Sequence, residues 1–447
     1  MKKYILHTLT LILLSACNGD IDFLDERPDK SIVVPESIED LQALFENSST
    51  MNRTPAYGLF SSDDIFVTDD EYARYYNAKL RNAYIWAKEI YEGESFLDWN
   101  NTYEQIFYSG IVLDELSGKE DTGEVESLRG SAYFYRAHAN FQLLQLFAPP
   151  YEQGQNEGKL GIPLKRTVRV DERPSRAPLE ECYEFIIEDL KRSIEKLPET
   201  SKYKSRPSKY SAHALLSRVY LYMEEYSSAL EWGQKALEGP FELLDYHELD
   251  SASKYPFPRY NTEVLLHTEF NSYTFVNSDR TLIDTNLLAL YGDGDLRYSL
   301  YFRDAGYGPI FRGQYTGKAQ KFTGLALDEV MLNVAECEIR TGNIDKGLRV
   351  LNELLVSRWV EGAFIPYEVD KEDVALRIVL EERRKSLVYR GINWMDLRRL
   401  NTDPRFARTL FRTVNDQTYE LLPNDPRYVF PIPNNEIHNN ELIQNER

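Results

Sequence analysis

The sequence has few of the residues that build disulfide frameworks or metal centres. It contains three cysteines and six histidines, and no two histidines stand four positions apart, as they would on one face of a zinc-binding helix. Cys182 and Cys337 each fall within an apolar helical pattern, so we predict that both are core residues and leave open whether they contact each other. The sequence therefore gives no support for a disulfide scaffold or for a metal site built on histidine or thiolate.

Long apolar runs and an excess of positive charge are also missing. Beyond the N-terminus no segment approaches the roughly 18–20 apolar residues that a membrane-spanning helix needs. The 72 acidic residues outnumber the 52 basic ones, which gives a formal net charge of −20 at pH 7. A long polyanion would be repelled by this charge rather than collected through counterion release. We therefore expect no nucleic-acid partner.

Known catalytic and metal-binding motifs are absent as well. The chain contains no G-x-S-x-G, no H-E-x-x-H, no Walker sequence and no EF-hand loop. Asp63-Asp64 and Asp69-Asp70-Glu71 leave calcium binding open, although acidic residues are commoner at helix starts and loop ends. Carboxylates are numerous enough for a glycosidase, but no pair is singled out. We predict a protein that uses no cofactor and is not an enzyme, with a surface glycoside hydrolase as an alternative.

The N-terminus reads as an export signal. Two lysines precede about ten mostly apolar residues, Ile5 to Leu14, which is the length of a signal-peptide core and too short to cross a bilayer. Small residues then lead to Cys17 in the order Leu-Ser-Ala-Cys, which resembles the bacterial lipoprotein signal. We predict a signal peptide at 1–16 and a lipidated Cys17 that opens an acidic spacer at 17–35. An ordinary signal peptide with an incidental cysteine is the alternative.

Helical periodicity dominates the rest of the chain. From Val125 to Leu146 apolar side chains recur every three or four residues, and Phe134 and Phe141 lie on a second apolar face, which is typical of a central helix. The segments RPSKYSAHALLSRVYLYMEEYSSALEWGQKALEGP and EVMLNVAECEIRTGNIDKGLRVLNELL carry small residues at the spacing of tetratricopeptide units. Helices near 124–147 and 178–197 are candidates for an interrupted third unit. We predict a mostly α fold on a tetratricopeptide-like helical-repeat (α-solenoid) scaffold.

The region at 241–320 interrupts this pattern. VLLHTEF alternates like a short strand, and YGDGD and DAGYG have the composition of turns. We predict an irregular, loop-rich insert with short strands at 241–320, inside a single domain that spans 36–447. Such loops commonly carry binding specificity.

Aromatic residues outside the helical stripes are the best candidates for ligand contact. The sequence has 31 tyrosines, and each ring offers a flat apolar face with a polar tip. The predicted ligand-binding residues are Asp64, Tyr72, Tyr75, Tyr76, Trp86, Tyr298, Tyr301 and Tyr315. Tyr307 lies in the same insert, and Arg81 or Arg303 would supply directional hydrogen bonds. For any one of these rings, packing against the scaffold is the competing interpretation.

Six passages resemble, in the same order along the chain, motifs of the SusD/RagB family of outer-membrane, nutrient-binding lipoproteins. They are the Leu-Ser-Ala-Cys start, DWNNTYEQIFYSGIVLDEL, LRGSAYFYRAHANFQLLQLF, DEVMLNVAECEIRTGN, EERRKSLVYRGINWMDLRRL and FPIPNNEIHNN. The resemblance implies a non-enzymatic lipoprotein, anchored by its lipid in the outer membrane and facing the cell exterior. It also implies that the protein captures a nutrient and delivers it to a SusC-like, TonB-dependent β-barrel transporter. A glycan is the expected ligand, a peptide is possible, and a repeat scaffold or adhesin without a small ligand is a further alternative.

We interpret the segment EERRKSLVYRGINWMDLRRL as structural. Where the family commonly has Glu, Glu and Arg, this chain has Ser386, Arg390 and Asn393, and the loss of both charges together indicates a dispensable ion pair. The remaining polar and aromatic residues are predicted to form a scaffold network: Glu382, Arg383, Arg384, Trp394, Asp396, Arg398 and Arg399.

Overall fold

Helices supply most of the architecture, as the apolar periodicity predicts. The computed structural model describes residues 35, 37–75, 77–91, 95–169, 171–313 and 315–447. The α-helices of these residues are α1 (Ile38–Glu46), α2 (Ser48–Met51), α3 (Tyr57–Ser61), α4 (Asp69–Arg74), α5 (Ala78–Tyr84), α6 (Leu97–Glu115), α7 (Gly123–Phe147), α8 (Leu179–Lys196), α9 (Lys209–Tyr222), α10 (Tyr226–Leu237), α11 (Thr285–Leu288), α12 (Leu296–Tyr301), α13 (Leu327–Arg340), α14 (Ile344–Val356), α15 (Glu372–Ser386), α16 (Ile392–Leu400) and α17 (Asn434–Asn440). The mostly α fold class is confirmed. Cys17 and the predicted signal peptide lie outside the described residues.

The strands are short and pair two by two. The pairs are β1 (Arg53–Thr54) with β6 (Glu269–Phe270), β2 (Ile65–Phe66) with β7 (Leu282–Ile283), β3 (Leu160–Pro163) with β4 (Arg176–Pro178), β5 (Val264–Leu266) with β10 (Leu325–Ala326), β8 (Phe302–Asp304) with β9 (Pro309–Phe311), and β11 (Leu410–Val414) with β12 (Gln417–Leu421). The first pair is parallel and the other five are antiparallel.

The chain divides into two compact units, Met1–Ala43 and Leu44–Arg447. In the first unit the described residues are 35 and 37–43, of which 38–43 belong to α1. The second unit contains α2 to α17 and all the strands named above. In the described part of the chain, no helix has both the length and the apolar character needed to cross a bilayer. The predicted boundaries of signal peptide, spacer and domain stay predictions.

The two predicted repeat units form as helix pairs. Helix α9 pairs with α10, α13 pairs with α14, and α10 packs on α13. Ala229 of α10 lies in a buried cluster with Leu221 of α9 and Cys337 of α13. At Gly233 of α10 a Cβ atom would lie 2.7 Å from Cγ2 of Val334, so α13 occupies the space that a side chain would need. Small residues therefore let the two units stack, as repeat helices must.

Helix α7 is the central helix that its two apolar faces predict. It packs against both α6 and α8, and most of its residues are buried. Arg136 of α7 and Asp189 of α8 form a buried ion pair, with Nε and Oδ2 2.7 Å apart. Pro149 and Pro150 follow its last turn and cannot continue the backbone hydrogen-bond ladder. The interrupted third helix pair, α7 with α8, is thus present.

A buried charge network joins α13, α15 and α16. Nε of Arg383 lies 2.7 Å from Oδ2 of Asp396, and Nη1 of Arg399 lies 2.7 Å from Oε1 of Glu336 on α13. Nε of Arg399 also lies 2.9 Å from Oδ1 of Asp396, so one carboxylate holds both arginines. Removing one partner of a buried pair costs about 3–5 kcal/mol, because it leaves an uncompensated charge.

Further buried ion pairs connect the same helices to the loop-rich insert. Oε2 of Glu382 on α15 lies 2.7 Å from Nη2 of Arg297 on α12, and Arg390 pairs with Asp328 of α13 at 2.6 Å. All four side chains are buried. Arg390, which stands where the family commonly has Glu, therefore has a buried partner of its own. Four of the predicted scaffold residues, Glu382, Arg383, Asp396 and Arg399, thus form buried ion pairs, as expected for a structural role.

The insert at 241–320 contains short strands, as predicted, but VLLHTEF forms two of them. Strand β5 pairs with β10 and β6 pairs with β1, so His267 and Thr268 lie between two different ladders. Two short helices, α11 and α12, complete the insert.

Both cysteines in the described residues are free and buried, which confirms that they are core residues. Burial raises the pKa of the Cys182 thiol to about 11, and burial also raises the pKa of Cys337. Each is therefore held as a thiol rather than as a reactive thiolate.

Gly347 provides a test of the repeat packing. A Cβ atom there would lie 2.6 Å from the carbonyl oxygen of Ala335 and 2.6 Å from Cγ1 of Ile339. Alanine normally stabilises a helix interior by roughly 0.5–1 kcal/mol relative to glycine. We expect Gly347→Ala to have the opposite effect and to lower the free energy of unfolding by about 1–3 kcal/mol, measured by urea denaturation, because the added methyl overpacks the contact.

Gly123 in the first turn of α7 is the matched control, because nothing lies within 4 Å of its Cβ position. Gly123→Ala should leave the free energy of unfolding unchanged or raise it slightly. A gain in stability from Gly347→Ala would contradict the close approach of α14 to α13.

Candidate ligand-binding face

The segment before Tyr72 pairs with a strand of the insert, although the two are far apart in the sequence. Strand β2, which precedes α4, pairs with β7 of the insert. Next to this ladder, Nε of Arg280 lies 3.8 Å from Oε2 of Glu71 at the start of α4. Arg280, which contacts Tyr307 of the insert, thus lies next to the residue that precedes Tyr72 in α4.

Tyr307 presents an open aromatic ring. It lies in the turn of the β8–β9 hairpin and is 57% exposed. The guanidinium carbon of Arg280 lies 4.0 Å from the ring centroid, and Nη2 of Arg280 donates a hydrogen bond to Oη of Tyr307 at 2.9 Å. The ring is therefore held in place while more than half of its surface stays open to a ligand.

Charged groups beside the ring can both donate and accept hydrogen bonds. Nη2 of Arg303 on β8 lies 2.6 Å from Oδ1 of Asp279, and their side chains are 34% and 58% exposed. A hydroxyl group is a donor and an acceptor at once, so a partner of each kind suits a polyhydroxylated ligand. We define the tyrosine–arginine face as Tyr72, Asp279, Arg280, Arg303 and Tyr307.

Tyr72 lies at the edge of this face, next to the β11–β12 hairpin. Its ring is half-buried, 6.0 Å from the ring of Tyr84. Burial, together with Tyr419 of β12 and Tyr84, raises the pKa of the Tyr72 phenol, which stays a neutral hydroxyl. The hairpin is tied to α4 because the backbone N–H of Asn415 donates to Oδ1 of Asp69 at 3.0 Å.

Tyr298 borders the same hairpin that carries Tyr307. It lies on α12, is 47% exposed, and its ring centroid is 5.8 Å from that of Phe302. Phe302 directly precedes Arg303 on β8. Tyr298 therefore remains a predicted ligand contact.

Most of the other predicted ligand contacts are inside the protein. The buried ones are Asp64, Tyr75, Trp86, Tyr301 and Tyr315. Tyr76 lies outside the described residues. The expectation that these side chains lie in open loops is therefore wrong for the buried five, and the groove predicted around Trp86 is not formed by that ring.

Trp86 is a core residue because a strand that is distant in the sequence packs over it. It is 1% exposed, and its Nε1 donates to the carbonyl oxygen of Ser61 at 2.9 Å. The guanidinium carbon of Arg412 lies 4.8 Å from its ring and 3.8 Å from the ring of Tyr84. Arg412 belongs to β11, so the polar residues that surround Trp86 in the sequence give no indication that its ring is buried.

Tyr301 and Tyr315 hold buried charges in place. The hydroxyl of Tyr246 lies 2.9 Å from that of Tyr301 and 3.3 Å from that of Tyr315. The Tyr315 hydroxyl also donates to Glu263, which forms a buried ion pair with Arg358. These phenols therefore serve the hydrogen-bonding needs of a charged core.

Asp64 anchors the α15–α16 segment instead of facing a ligand. Its Oδ1 accepts hydrogen bonds from Nδ2 of Asn393 at 2.7 Å and from Nε of Arg384 at 3.2 Å. Burial raises the pKa of Asp64 to about 7, whereas Arg384 and Arg408 act against burial and hold the pKa of Asp63 below its usual value. The two carboxylates are thus used by protein donors, and calcium binding at Asp63-Asp64 is not supported.

Sequence reasoning missed Asp279 and Arg280 and did not select Tyr307. The turn DAGYG contains a signal for Tyr307, because Gly308 has a φ of +133° that an L side chain rarely adopts, and this turn places the ring at the hairpin tip. Arg280 and Asp279 lie in an irregular loop, where no periodicity marks a side chain as exposed.

Comparisons with known proteins agree with this architecture. A SusD-like family model, described as "Starch-binding associating with outer membrane", matches residues 22–221. SusD-like protein P2 of Formosa agariphila is 23% identical over 529 residues, which covers 100% of this chain and 99% of the relative. Over nearly its whole length the chain is thus similar to a SusD-like protein.

Solved structures show the same SusD-like fold. A SusD superfamily protein of Bacteroides thetaiotaomicron has a TM-score of 0.76 at 20% identity, covering 92% of this chain and 100% of that chain. A laminarin-binding SusD-like protein has a TM-score of 0.63 at 18% identity, covering 91% of this chain and 96% of that chain. The SusD-like, helical-repeat fold class is confirmed.

The two aromatic side chains Trp86 and Tyr298 should respond differently to truncation. We expect Trp86→Ala to lower the free energy of unfolding by about 3–5 kcal/mol, because a large buried ring leaves a cavity. Tyr298→Ala should lower it by only about 1 kcal/mol or less, since nearly half of that residue is exposed. Guanidinium denaturation of each variant measures the change. An unchanged free energy of unfolding for Trp86→Ala would contradict the burial of that ring.

Proposed function

We propose that this SusD-like protein binds a glycan on the tyrosine–arginine face. The observation that carries the proposal is the ring of Tyr307, which Arg280 fixes while 57% of its surface remains exposed. A sugar ring presents an apolar C–H face that packs on an aromatic face, and its hydroxyls need both donors and acceptors. Arg303 and Asp279 supply these groups at the same hairpin.

The carboxylates at the tyrosine–arginine face favour ligand binding over hydrolysis. Asp279 pairs with Arg303, and Glu71 is buried beside Arg280. A glycosidase needs two carboxyl groups placed for acid and base or nucleophile chemistry, and of these two carboxyl groups only Asp279 is exposed. The proposal is therefore a binding protein rather than a surface glycoside hydrolase.

The comparisons support a glycan as the ligand class. The matching family model is described as starch-binding, and one structural relative is described as laminarin-binding. Both glycans are glucose polymers, and their rings have the flat apolar faces that suit stacking on tyrosine. A peptide ligand, or a scaffold without a small ligand, are the alternatives that the binding experiment addresses.

We further propose that the protein is held at the outer membrane by a lipid on Cys17 and passes its ligand to a SusC-like, TonB-dependent transporter. The Leu-Ser-Ala-Cys order supports the lipid, and the description of the family model supports the location. The stacked repeat pairs α9–α10 and α13–α14 support a large protein partner, because repeat scaffolds offer extended surfaces.

Titration calorimetry with laminarin and with starch tests the ligand site. We expect at least one of them to bind, and Tyr307→Ala to weaken that binding by about twofold to tenfold, since an aromatic contact contributes roughly 0.5–1.5 kcal/mol. Tyr203→Ala is the matched control, because Tyr203 is 56% exposed and also lies next to a cation, Lys202 at 5.1 Å.

Equal affinities of the Tyr307→Ala and Tyr203→Ala variants would contradict the proposed face. Binding of a peptide pool with no binding of either glycan would favour a peptide receptor. Reducing ends released from a bound glycan would show a glycoside hydrolase instead.

Fractionation of cells tests the anchor. Cys17→Ala should leave the protein without lipid and move it from the outer-membrane fraction to the soluble fraction, because a lipid is the hydrophobic attachment that the sequence predicts. Mild detergent extraction of the wild type should also recover a β-barrel partner. A Cys17→Ala protein that still fractionates with the membrane would contradict anchoring by lipid alone.

A further inference from the structure

The buried arginines of the described residues differ in how their charge is neutralised. Seven form ion pairs with Asp or Glu: Arg136, Arg218, Arg297, Arg358, Arg383, Arg390 and Arg399. The other three have no carboxylate within ion-pair distance in the described chain and donate to backbone carbonyls: Arg176, Arg398 and Arg412. Two of these three, Arg176 and Arg398, line the same cavity.

This cavity has a volume of about 450 Å³. It lies where the end of α16 meets β3, the β12–α17 connection and the last residues of the chain. Arg398 of α16 donates to the carbonyl oxygens of Gln145 and Ala148 at the C-terminal end of α7, and its Nε has no hydrogen-bond partner. Arg176 of β4 donates to carbonyl oxygens of β3 and of Ile443.

The carboxylates on the cavity wall do not neutralise these two guanidinium groups. Glu152 pairs with Lys159 at 2.7 Å, and Asp425 pairs with Arg427 at 2.8 Å. The third acidic residue on the wall, Glu446, is exposed. The cavity therefore has an excess of buried positive charge, in a protein whose formal net charge is −20.

Neutral donors line the same wall. Asn401 and Tyr428 both line the cavity, and a side-chain hydrogen bond from Asn401 acts on the Tyr428 phenol. Nε of Arg398 has no hydrogen-bond partner among the described residues.

Burial of an unpaired charge is costly, and carbonyl dipoles offset only part of it. Burial lowers the pKa of Arg176 and of Arg398 to about 10. An anion in the cavity would restore the counter-charge that the other seven buried arginines receive from protein carboxylates.

We propose that this cavity is a second binding site, and that it takes the carboxylate or sulfate group of a ligand about the size of one acidic sugar unit. The anionic group would face Arg398 and Arg176. The volume falls within the range of small-molecule pockets and suits a single sugar unit rather than a chain. The cavity shares no residue with the tyrosine–arginine face, so this site goes beyond the proposed glycan function.

Calorimetric titrations with sodium glucuronate, sodium sulfate and glucose test the site. We expect glucuronate to bind, sulfate to compete with it, and glucose to give no binding. Asn401→Asp places a carboxylate in the cavity without removing either arginine, and it should weaken glucuronate binding at least tenfold. Arg398→Gln is a less informative variant, because it leaves the carbonyl groups at the end of α7 without their donor.

Arg412→Gln is the matched control, since Arg412 is also buried without a carboxylate but does not line the cavity. It should leave glucuronate binding unchanged, and circular dichroism should show that both variants are folded. Failure of glucuronate to bind overturns the proposal, as does equal binding of glucose and glucuronate. A folded Asn401→Asp variant with unchanged affinity, or an equal loss in Arg412→Gln, overturns the location.

Discussion

Neutralisation of buried arginine is the constraint on which the rest of this structure depends. Asp396 holds Arg383 and Arg399 at once, and Arg399 in turn pairs with Glu336. These contacts join three helices that are separate in the sequence, and each pair has a directional geometry that an apolar contact lacks. Ion pairs of this kind contribute little net stability compared with apolar packing, but a misplaced partner is costly. They therefore select one arrangement of the helices over similar ones.

The same constraint positions the ligand-binding face. Glu382 on α15 pairs with Arg297 on α12, and α12 leads directly into strand β8 of the hairpin that carries Tyr307. The β2–β7 ladder fixes the other side of the insert against the segment before α4. The exposed tyrosine thus rests on a rigid base, and a rigid base reduces the entropy that a binding site loses on meeting its ligand.

The fold followed from the sequence much more closely than the site did. Helical periodicity and small residues such as Ala229 and Gly347 are local signals, and they identified the repeat pairs correctly. Burial of an aromatic ring depends instead on segments that are distant in the sequence. Arg412 packs on the ring of Trp86, and Glu263 accepts a hydrogen bond from the hydroxyl of Tyr315. No local pattern around Trp86 or Tyr315 encodes those partners, so an aromatic residue in a polar stretch was assigned to the surface. Tyr307 and Arg280 became recognisable when the β2–β7 ladder and the hairpin turn were known.

The stacking of α10 on α13 has a consequence for how this architecture can vary. These two helices are in direct contact, yet the whole loop-rich insert lies between them in the sequence. The ladder of β5 with β10 joins a segment of the insert to the residues that enter α13. The insert therefore connects two helices that already pack against each other, and both of its ends lie at their interface. Its tip can be lengthened, shortened or exchanged at a modest loop-closure cost, and a different ligand preference can be grafted onto the same scaffold without repacking it.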